Sequence, residues 1–322
     1  MRAPDFWAGP GDGGWRARLL SPLSALWRHV ARRRLARGGA GFDPGIPVIC
    51  IGNATAGGTG KTPFAIEVAR RLIAAGHRPH FLSRGHGGTA RGVVRVGGQG
   101  ASAVGDEPLL LAAVAPAWVA RDRIAGARAI AAAGADVIVM DDGFQNPALE
   151  KRLSFLVVDG GAGLGNGRVI PAGPLREDWP DARARADAVV VIGAATAPLP
   201  PAGALPLFRA AIRPLGGARF AGRRVLAFAG IGRPGKFFDT LAACGAVLAA
   251  TRAFPDHHAF TAAEIAALRR EAAALDALPV TTAKDGARLG PGERVWVEVL
   301  DIALDVAEAD ALDQLLALVF AD

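Results

Sequence analysis

The stretch PVICIGNATAGGTGKTPFAIEVA, residues 47–69, decides the fold class. It opens with Val48 to Ile51, an apolar, β-branched run that reads as a buried strand. Small residues follow from Gly52 to Gly60, then Lys61 and Thr62. Phe64, Ala65, Val68, Ala69 and Leu72 recur at helical spacing, which predicts a helix beginning near Lys61. Strand, glycine loop and Lys-Thr at a helix start together make the setting of a phosphate-binding loop. Glycines let backbone N–H groups crowd around a phosphate. The helix N-terminus adds partial positive charge. Lys61 brings a full charge to the β- and γ-phosphates, and the Thr62 hydroxyl is a ligand for Mg²⁺. The nucleotide-binding residues on this reading are Thr55, Ala56, Gly57, Gly58, Thr59, Gly60, Lys61 and Thr62. One position departs from the pattern G-x-x-x-x-G-K-[ST], because Thr55 stands where the first glycine is expected. Pro63 suits the first turn of a helix.

The chain has 322 residues, room for one large or two medium domains. Its formal net charge of +7 suggests an acidic partner: nucleic acid, anionic lipid or a phosphorylated substrate. Only Cys50 and Cys244 occur, and Cys50 falls in the predicted strand, so no disulfide framework is expected and a reducing compartment fits. No apolar run reaches the ~18 residues of a transmembrane helix. No secretory signal is expected either, since Asp5, prolines and glycines precede any apolar stretch. His and Cys spacing gives no zinc site.

Residues 1 to 15 read as irregular, with Phe6 and Trp7 exposed. From Arg16 to Arg37, Leu19, Leu20, Leu23, Leu26, Trp27 and Val30 form one apolar helical stripe, accompanied by seven arginines and no acidic residue. Such a helix suits either an anionic membrane interface or a docked position with solvated arginines. Further on, strands are predicted at Pro79–Ser83, Gly92–Gly97, Trp118–Ala120, Asp136–Asp141, Leu153–Asp159 and Ala188–Gly193. Helices fall at Leu109–Val114 and Arg121–Ala133. This alternation argues for a parallel α/β sheet. A loop rich in Ala and Pro, Ala194 to Pro206, precedes a second, smaller α/β unit with strands at Phe208–Ile212, Arg224–Ala229, Val247–Thr251 and Val280–Thr282. One of its helices follows Gly230–Lys236 and another lies at Ala262–Ala274. Val295–Leu300 is expected to pair with the Phe208 segment, and Ala311–Phe320 to form a last helix.

Asp141 and Asp142 close a strand, where a carboxylate facing the phosphate loop holds Mg²⁺; Asp before Gly143 also suits a turn. Asp106, in Gly-Asp-Glu-Pro, reads from its spacing first as a helix cap, with catalysis as the alternative. His257 and His258 follow Asp256 as a catalytic, ligand or structural cluster. Arg176 and Glu177 lie in a loop shaped by proline and glycine, functional or merely a surface ion pair. Thr282-Ala-Lys-Asp285 lacks the residue order of a guanine-specificity motif.

Taken together, these motifs resemble the tetraacyldisaccharide 4′-kinase family, the lipid A 4′-kinases of Gram-negative bacteria. The resemblance rests on Gly52 through Pro63, Ser83-Arg-Gly85, Val104-Gly-Asp-Glu-Pro108, Asp141-Asp-Gly-Phe-Gln145, Gly165-Asn-Gly-Arg168, Pro171-Ala-Gly-Pro-Leu-Arg-Glu177, Gly230-Ile-Gly232, Asp256-His257 and Thr282-Ala-Lys-Asp285. His86 stands where the family often has an aromatic residue. The resemblance implies phosphorylation of the 4′-hydroxyl of a tetraacyldisaccharide 1-phosphate, with ATP and Mg²⁺ as cofactors. It implies a P-loop NTPase-like α/β/α domain and a smaller α/β/α domain joined by a two-stranded linker. The expected divisions are 1–40, a membrane-associating basic helix; 41–207, the P-loop domain; 208–300, the smaller domain with the linker strands; and 301–322, a C-terminal helix. It gives Asp106 and His257 as the catalytic pair, with Asp141 and Asp142 beside the reacting phosphate. Thr62, Asp142 and Glu177 are implied at the metal, and Gln145 and Arg176 at substrate or phosphate. The expected partners are the lipid A disaccharide 1-phosphate and an anionic membrane surface, at the cytoplasmic face of the inner membrane as a peripheral protein. No nucleic acid and no obligate protein partner are expected. The rival is a P-loop ATPase switch of the partitioning or metal-insertion type. Such loops often carry a lysine where Ala56 stands.

Overall fold

The computed structural model describes residues 4–9, 11 and 13–321. The apolar run at Val48 is the middle of a twelve-stranded sheet. In chain order the strands are β1 (Val48–Gly52), β2 (Pro79–Ser83), β3 (Val93–Arg95), β4 (Ala117–Ala120), β5 (Val137–Asp141), β6 (Leu153–Asp159), β7 (Ala188–Ile192), β8 (Leu207–Leu215), β9 (Arg224–Ala229), β10 (Val247–Ala253), β11 (Leu278–Thr282) and β12 (Glu298–Val306). The helices are α1 (Gly14–Ala36), α2 (Lys61–Ala74), α3 (Ala101–Val104), α4 (Asp106–Ala112), α5 (Arg123–Ala132), α6 (Trp179–Arg183), α7 (Pro234–Ala243), α8 (Ala262–Ala274), α9 (Ala283–Gly286), α10 (Pro291–Arg294) and α11 (Ala309–Ala317).

Across the sheet the order is β10-β9-β11-β12-β8-β7-β6-β1-β5-β2-β4-β3. Pairing is parallel except at the edge pair β3/β4 and at β8/β12. The antiparallel β8/β12 pair joins two parallel sets, the larger containing β1 and the smaller β9, β10 and β11. Each set is covered on both faces, as parallel strands require. On one side of β1, Ile49 and Ile51 pack with Phe64, Val68 and Leu72 of α2; on the other, Cys50 packs with Phe144, Leu156 and Trp179. In the smaller set, Val225 and Ala227 meet Phe237 and Leu241 of α7, while Leu226 and Phe228 meet Ile265 and Leu268 of α8. Each set thus forms an α/β/α sandwich, and the β8/β12 pair is the two-stranded connection.

Several expectations change in detail. Val295–Val297 are not strand; β12 starts at Glu298 and continues to Val306. Its first residues pair with β11, and only Asp301–Val306 pair with β8. The 300/301 division therefore falls inside a strand, and the 207/208 division falls one residue into β8. We retain the four segments as a proposal, with β8 and β12 shared between the two sandwiches. Helix α3 has no apolar periodicity to announce it. Phe6 and Trp7 are half-buried rather than exposed. The Trp7 indole donates to the Pro171 carbonyl at 3.0 Å, and the Asn166 amide donates to the Phe6 carbonyl at 2.9 Å. Residues 1–3, 10 and 12 of the expected N-terminal segment lie outside the described residues.

Candidate active site

The loop between β1 and α2 is held open by its own backbone. Gly57 and Gly60 take φ of +111° and +89°, which a side chain would strain. A Cβ on Gly60 would also come within 2.7 Å of Ile192 Cδ1. Inside the loop, the buried Asn53 amide donates to the Thr55 carbonyl at 2.7 Å and to the Thr59 hydroxyl at 3.1 Å. Thr55 is not a left-handed residue; it forms an antiparallel bridge to Leu175. The Ala56 amide donates to the Pro174 carbonyl and the Arg176 amide to the Ala54 carbonyl, both at 2.7 Å. An extended Thr55 needs no glycine, which accounts for the departure from the usual pattern. Gly57 and Gly58 remain exposed, and a Cβ on either would meet nothing within 4 Å.

Thr62 and the end of β5 meet beneath this loop. The Thr62 hydroxyl donates to Asp141 Oδ2 at 2.8 Å, while Asp141 Oδ1 is buried with no partner. Burial, reinforced by Glu107 and Asp142, pushes the Asp141 carboxyl up to about 7 against the pull of Lys61 and Thr62. Asp142, one residue on, adopts φ +54° and turns elsewhere. It receives Lys61 at 3.6 Å and Arg176 at 2.9 Å. Burial opposes its charge, but those two cations hold its carboxyl below the usual range. Glu177 is buried against Arg185 and accepts from the Gln145 amide at 3.0 Å. Gln145 also donates to the Asn53 carbonyl at 2.8 Å and accepts from Arg176 at 3.3 Å.

Asp106, at the start of α4, lies across from the smaller sandwich. His257 Nδ1 stands 3.1 Å from its Oδ2, and Arg288 grips the same oxygen through Nε at 2.8 Å and through Nη2. Asp106 Oδ1 accepts from the Glu107 amide at 2.9 Å. Burial works to raise the Asp106 carboxyl, yet the His257 hydrogen bond with the charges of Lys284 and Arg288 holds it far below the carboxylate range. His257 itself sits at φ +57°, an unfavourable backbone state for a non-glycine residue, of a kind that clusters at functional sites. The two halves face each other across a narrow gap: a Cβ on Gly232 would lie 3.6 Å from the Gly58 amide and 3.4 Å from the Asp256 carboxylate. Beside His257, the His86 ring makes an edge contact at 5.5 Å between centroids. An open cavity follows, lined by Arg84, His86 and Arg121.

The depressed Asp106 carboxyl has a thermodynamic consequence. A lowered folded-state value means that the native protein holds the ionised form more tightly than the unfolded chain does. That stability is fully present above about pH 4, the unfolded carboxylate value, and is lost as pH falls toward the depressed native value. The unfolding free-energy difference between the wild type and Asp106→Asn should therefore be flat from pH 6 to 8 and shrink below about pH 4. Denaturant titrations at each pH measure it. A difference that holds constant into the acid range would show that Asp106 is not bound as an anion.

The sequence-predicted residues thus gather in two groups. The phosphate loop, Asp141, Asp142, Gln145, Arg176 and Glu177 belong to the larger sandwich, and His257 arrives from the smaller one to meet Asp106. His258 joins neither group; it binds Glu264 at 3.0 Å beside Phe254 and Phe260. Arg288 carried no sequence signal, since nothing in the chain ties it to an aspartate 182 residues earlier. Lys284 and Glu107, neighbours of the marked residues, bond to each other at 3.1 Å.

A parallel sheet with a phosphate loop after its central strand, an acidic strand end beside it and a bonded Asp–His pair opposite defines a P-loop phosphotransferase. Comparison with known proteins narrows that class. The model of the tetraacyldisaccharide-1-P 4′-kinase family matches residues 16–320. A tetraacyldisaccharide 4′-kinase of Rhodospirillum centenum is 54% identical, covering 98% of this chain and 96% of its own length. The same-named protein of Gluconacetobacter diazotrophicus is 51% identical, over 98% and 97% of the two chains. Among solved structures, the crystal structure described as "apo" form LpxK from Aquifex aeolicus in complex with ATP matches with TM-score 0.78 and 26% identity, covering 94% of this chain and 99% of that one. The chain belongs to the tetraacyldisaccharide-1-P 4′-kinase family. These matches give the ATPase-switch alternative no support.

Proposed function

We propose that this chain transfers the γ-phosphoryl group of ATP to the 4′-hydroxyl of a tetraacylated disaccharide 1-phosphate, the lipid A precursor. The observation that carries the reading is the pairing of buried Asp106 with half-buried His257, 3.1 Å apart, facing an open phosphate loop. The Gly57–Thr62 amides, Lys61 and the α2 N-terminus hold the β- and γ-phosphates. The acceptor oxygen bonds to the γ-phosphorus as the bond to the β–γ bridging oxygen breaks, and the hydroxyl proton passes to the Asp106 carboxylate, at Oδ1, while His257 stays bonded to Oδ2. Arg176 and Lys61, both on Asp142, are placed to meet charge on the transferred group.

The residues present fit a Mg²⁺ ion at Thr62 and Asp141, because a buried, unpartnered carboxylate oxygen beside a hydroxyl suits a hard cation. Among the described residues no cluster of three His, Cys, Asp or Glu could cage a metal, which accords with an ion completed by phosphates and water. The ion would neutralise phosphate charge. Asp142 and Glu177, expected at the metal, are instead held by cations and by Gln145, so the proposed ligands are Thr62 and Asp141. The guanidinium-lined cavity of Arg84 and Arg121 suits an anionic group of the acceptor. Product partition tests the reading: labelled phosphate should appear on lipid and require the disaccharide. Release to water at an unchanged rate without the acceptor would overturn it.

The protein works at the cytoplasmic face of the inner membrane as a peripheral protein. No helix of the described residues is long and apolar enough to cross a membrane. Helix α1 docks through buried Ala17 and Ser24, the Ser24 hydroxyl donating to the Val169 carbonyl at 2.7 Å, and through Arg28 to Asp178 at 2.6 Å. Most of its stripe faces away: Leu19, Leu23, Leu26, Trp27 and Val30 are exposed, with Trp15 beside them, whereas Leu20 is half-buried and the Trp27 indole donates to the Arg176 carbonyl at 2.9 Å. An exposed apolar stripe flanked by arginines is the profile of an interfacial helix. Replacing Leu19, Leu23 and Leu26 with glutamine removes roughly 1 kcal/mol each of partial burial, so vesicle affinity should fall about a hundredfold. Sedimentation with anionic vesicles at low and high salt checks this. Undiminished binding by the triple variant would place the membrane contact elsewhere.

A further inference from the structure

The two ring nitrogens of His257 face groups of opposite kind. Nδ1 lies 3.1 Å from Asp106 Oδ2, and Nε2 lies 3.4 Å from Lys284 Nζ. Asp106 is an anion and can only accept there, so Nδ1 carries the proton. Lys284 is half-buried and stays charged: burial works against it, but Glu107, Asp106 and Asp256 more than offset that cost. An ammonium has three donors and no acceptor, so Nε2 must offer a lone pair. A doubly protonated ring would point an N–H at the ammonium.

We propose that Lys284 is a positioning residue that holds His257 neutral with its proton on Nδ1, keeping the Asp106–His257 pair ready to take the acceptor proton. This rests on the kinase reading for its catalytic meaning, but the tautomer follows from the contacts alone.

Lys284 is itself anchored from both sandwiches. It begins α9 in the smaller one and reaches Glu107 of α4 in the larger at 3.1 Å, with Asp256 4.0 Å away. The lysine therefore ties the two halves together at the ring. Glu107 fixes the ammonium, the ammonium fixes Nε2, and Nδ1–H is directed at Asp106. The other charged or titratable groups around the ring are Asp256, whose carboxylate is 3.9 Å from Nε2, Arg288 on the far side of Asp106, and the His86 ring. None of these replaces the contact at Nε2, because Asp256 lies beyond hydrogen-bond distance.

The test uses the full chain labelled with ¹⁵N-histidine. A difference spectrum against His257→Gln identifies the His257 signals. The wild type near neutral pH should show the neutral, Nδ1-protonated ring. Lys284→Met, which keeps length and loses charge, should show a mixture of tautomers or the doubly protonated ring. Lys284→Arg should restore the wild-type pattern. In turnover assays Lys284→Met should move the acid limb of kcat upward by about one pH unit, with the KM for ATP little changed. A wild-type ring protonated on Nε2, or an unaltered ring in a folded Lys284→Met, would overturn the proposal. Failure of the chain to phosphorylate the disaccharide, with the ring behaving as described, would instead overturn the kinase reading and leave the tautomer assignment standing.

Discussion

Lys61→Ala should lower phosphoryl transfer by at least about a thousandfold while leaving the fold intact. The charge at risk is the one placed where the transferred group gains negative charge, at the start of α2 beneath exposed loop amides. A thousandfold corresponds to about 4 kcal/mol of lost transition-state stabilisation, within reach of a single electrostatic contact in a site shielded from water. The fold should not suffer, because the loop is shaped by Gly57, Gly60, Asn53 and the Thr55–Leu175 bridge rather than by the lysine. Asp142 would keep Arg176, so no carboxylate is stranded. Transfer of labelled phosphate, alongside a thermal melt of the same preparation, measures both parts. Near-normal turnover by a folded variant would show that this loop does not hold the reacting phosphate.

The second large effect is expected at the pair that spans the two sandwiches. A sugar hydroxyl is a weak nucleophile at neutral pH, so its proton must leave as the bond to phosphorus forms. Asp106→Asn and His257→Ala should each lower kcat by about a hundredfold or more, the range of general-base loss. Because the residues bond directly, they act as one unit, and the double variant should be hardly worse than the worse single. The KM for ATP should change little, since neither residue lies in the phosphate loop. Asp106→Asn also removes one of the two carboxylates paired with Arg288, leaving Asp285 at 2.7 Å, so folding must be verified by the pH series described above. Multiplicative losses would mean that the two act separately. An effect confined to the KM for ATP would place Asp106 in nucleotide binding.

Much of the fold was legible because its signals are local. β1, β5, β6 and β7 are continuous apolar runs, as buried parallel strands must be, and α2 repeats its apolar residues at helical spacing. The extent of β12 was missed because Asp301 and Asp305 interrupt the apolar run of its outer half, and only the pairing with β8 shows that these two carboxylates lie exposed on a strand. The exposed stripe on α1 was readable as a stripe, but only the docking of Ala17 and Ser24 says which way it faces. In the candidate site, the residues that chain neighbours fix could be named from the sequence: the loop, Thr62 and the Asp141–Asp142 step. What each carboxylate touches was not. Asp142 turns toward Lys61 and Arg176 through a left-handed backbone, a feature no residue type announces at an aspartate. Arg288 and Lys284 join the candidate site only through the meeting of two sandwiches, a contact between residues nearly two hundred positions apart.

The central claim is that the site at this cleft phosphorylates one particular hydroxyl. The direct measurement is incubation of the purified chain with γ-labelled ATP and the tetraacylated disaccharide 1-phosphate, followed by location of the label on the product by ³¹P NMR and mass spectrometry. The account predicts a bisphosphate labelled at the 4′-oxygen, formed by the wild type and reduced at least about a hundredfold in His257→Ala. Label at another position, label only in free phosphate, or equal yield from the His257→Ala chain would contradict it.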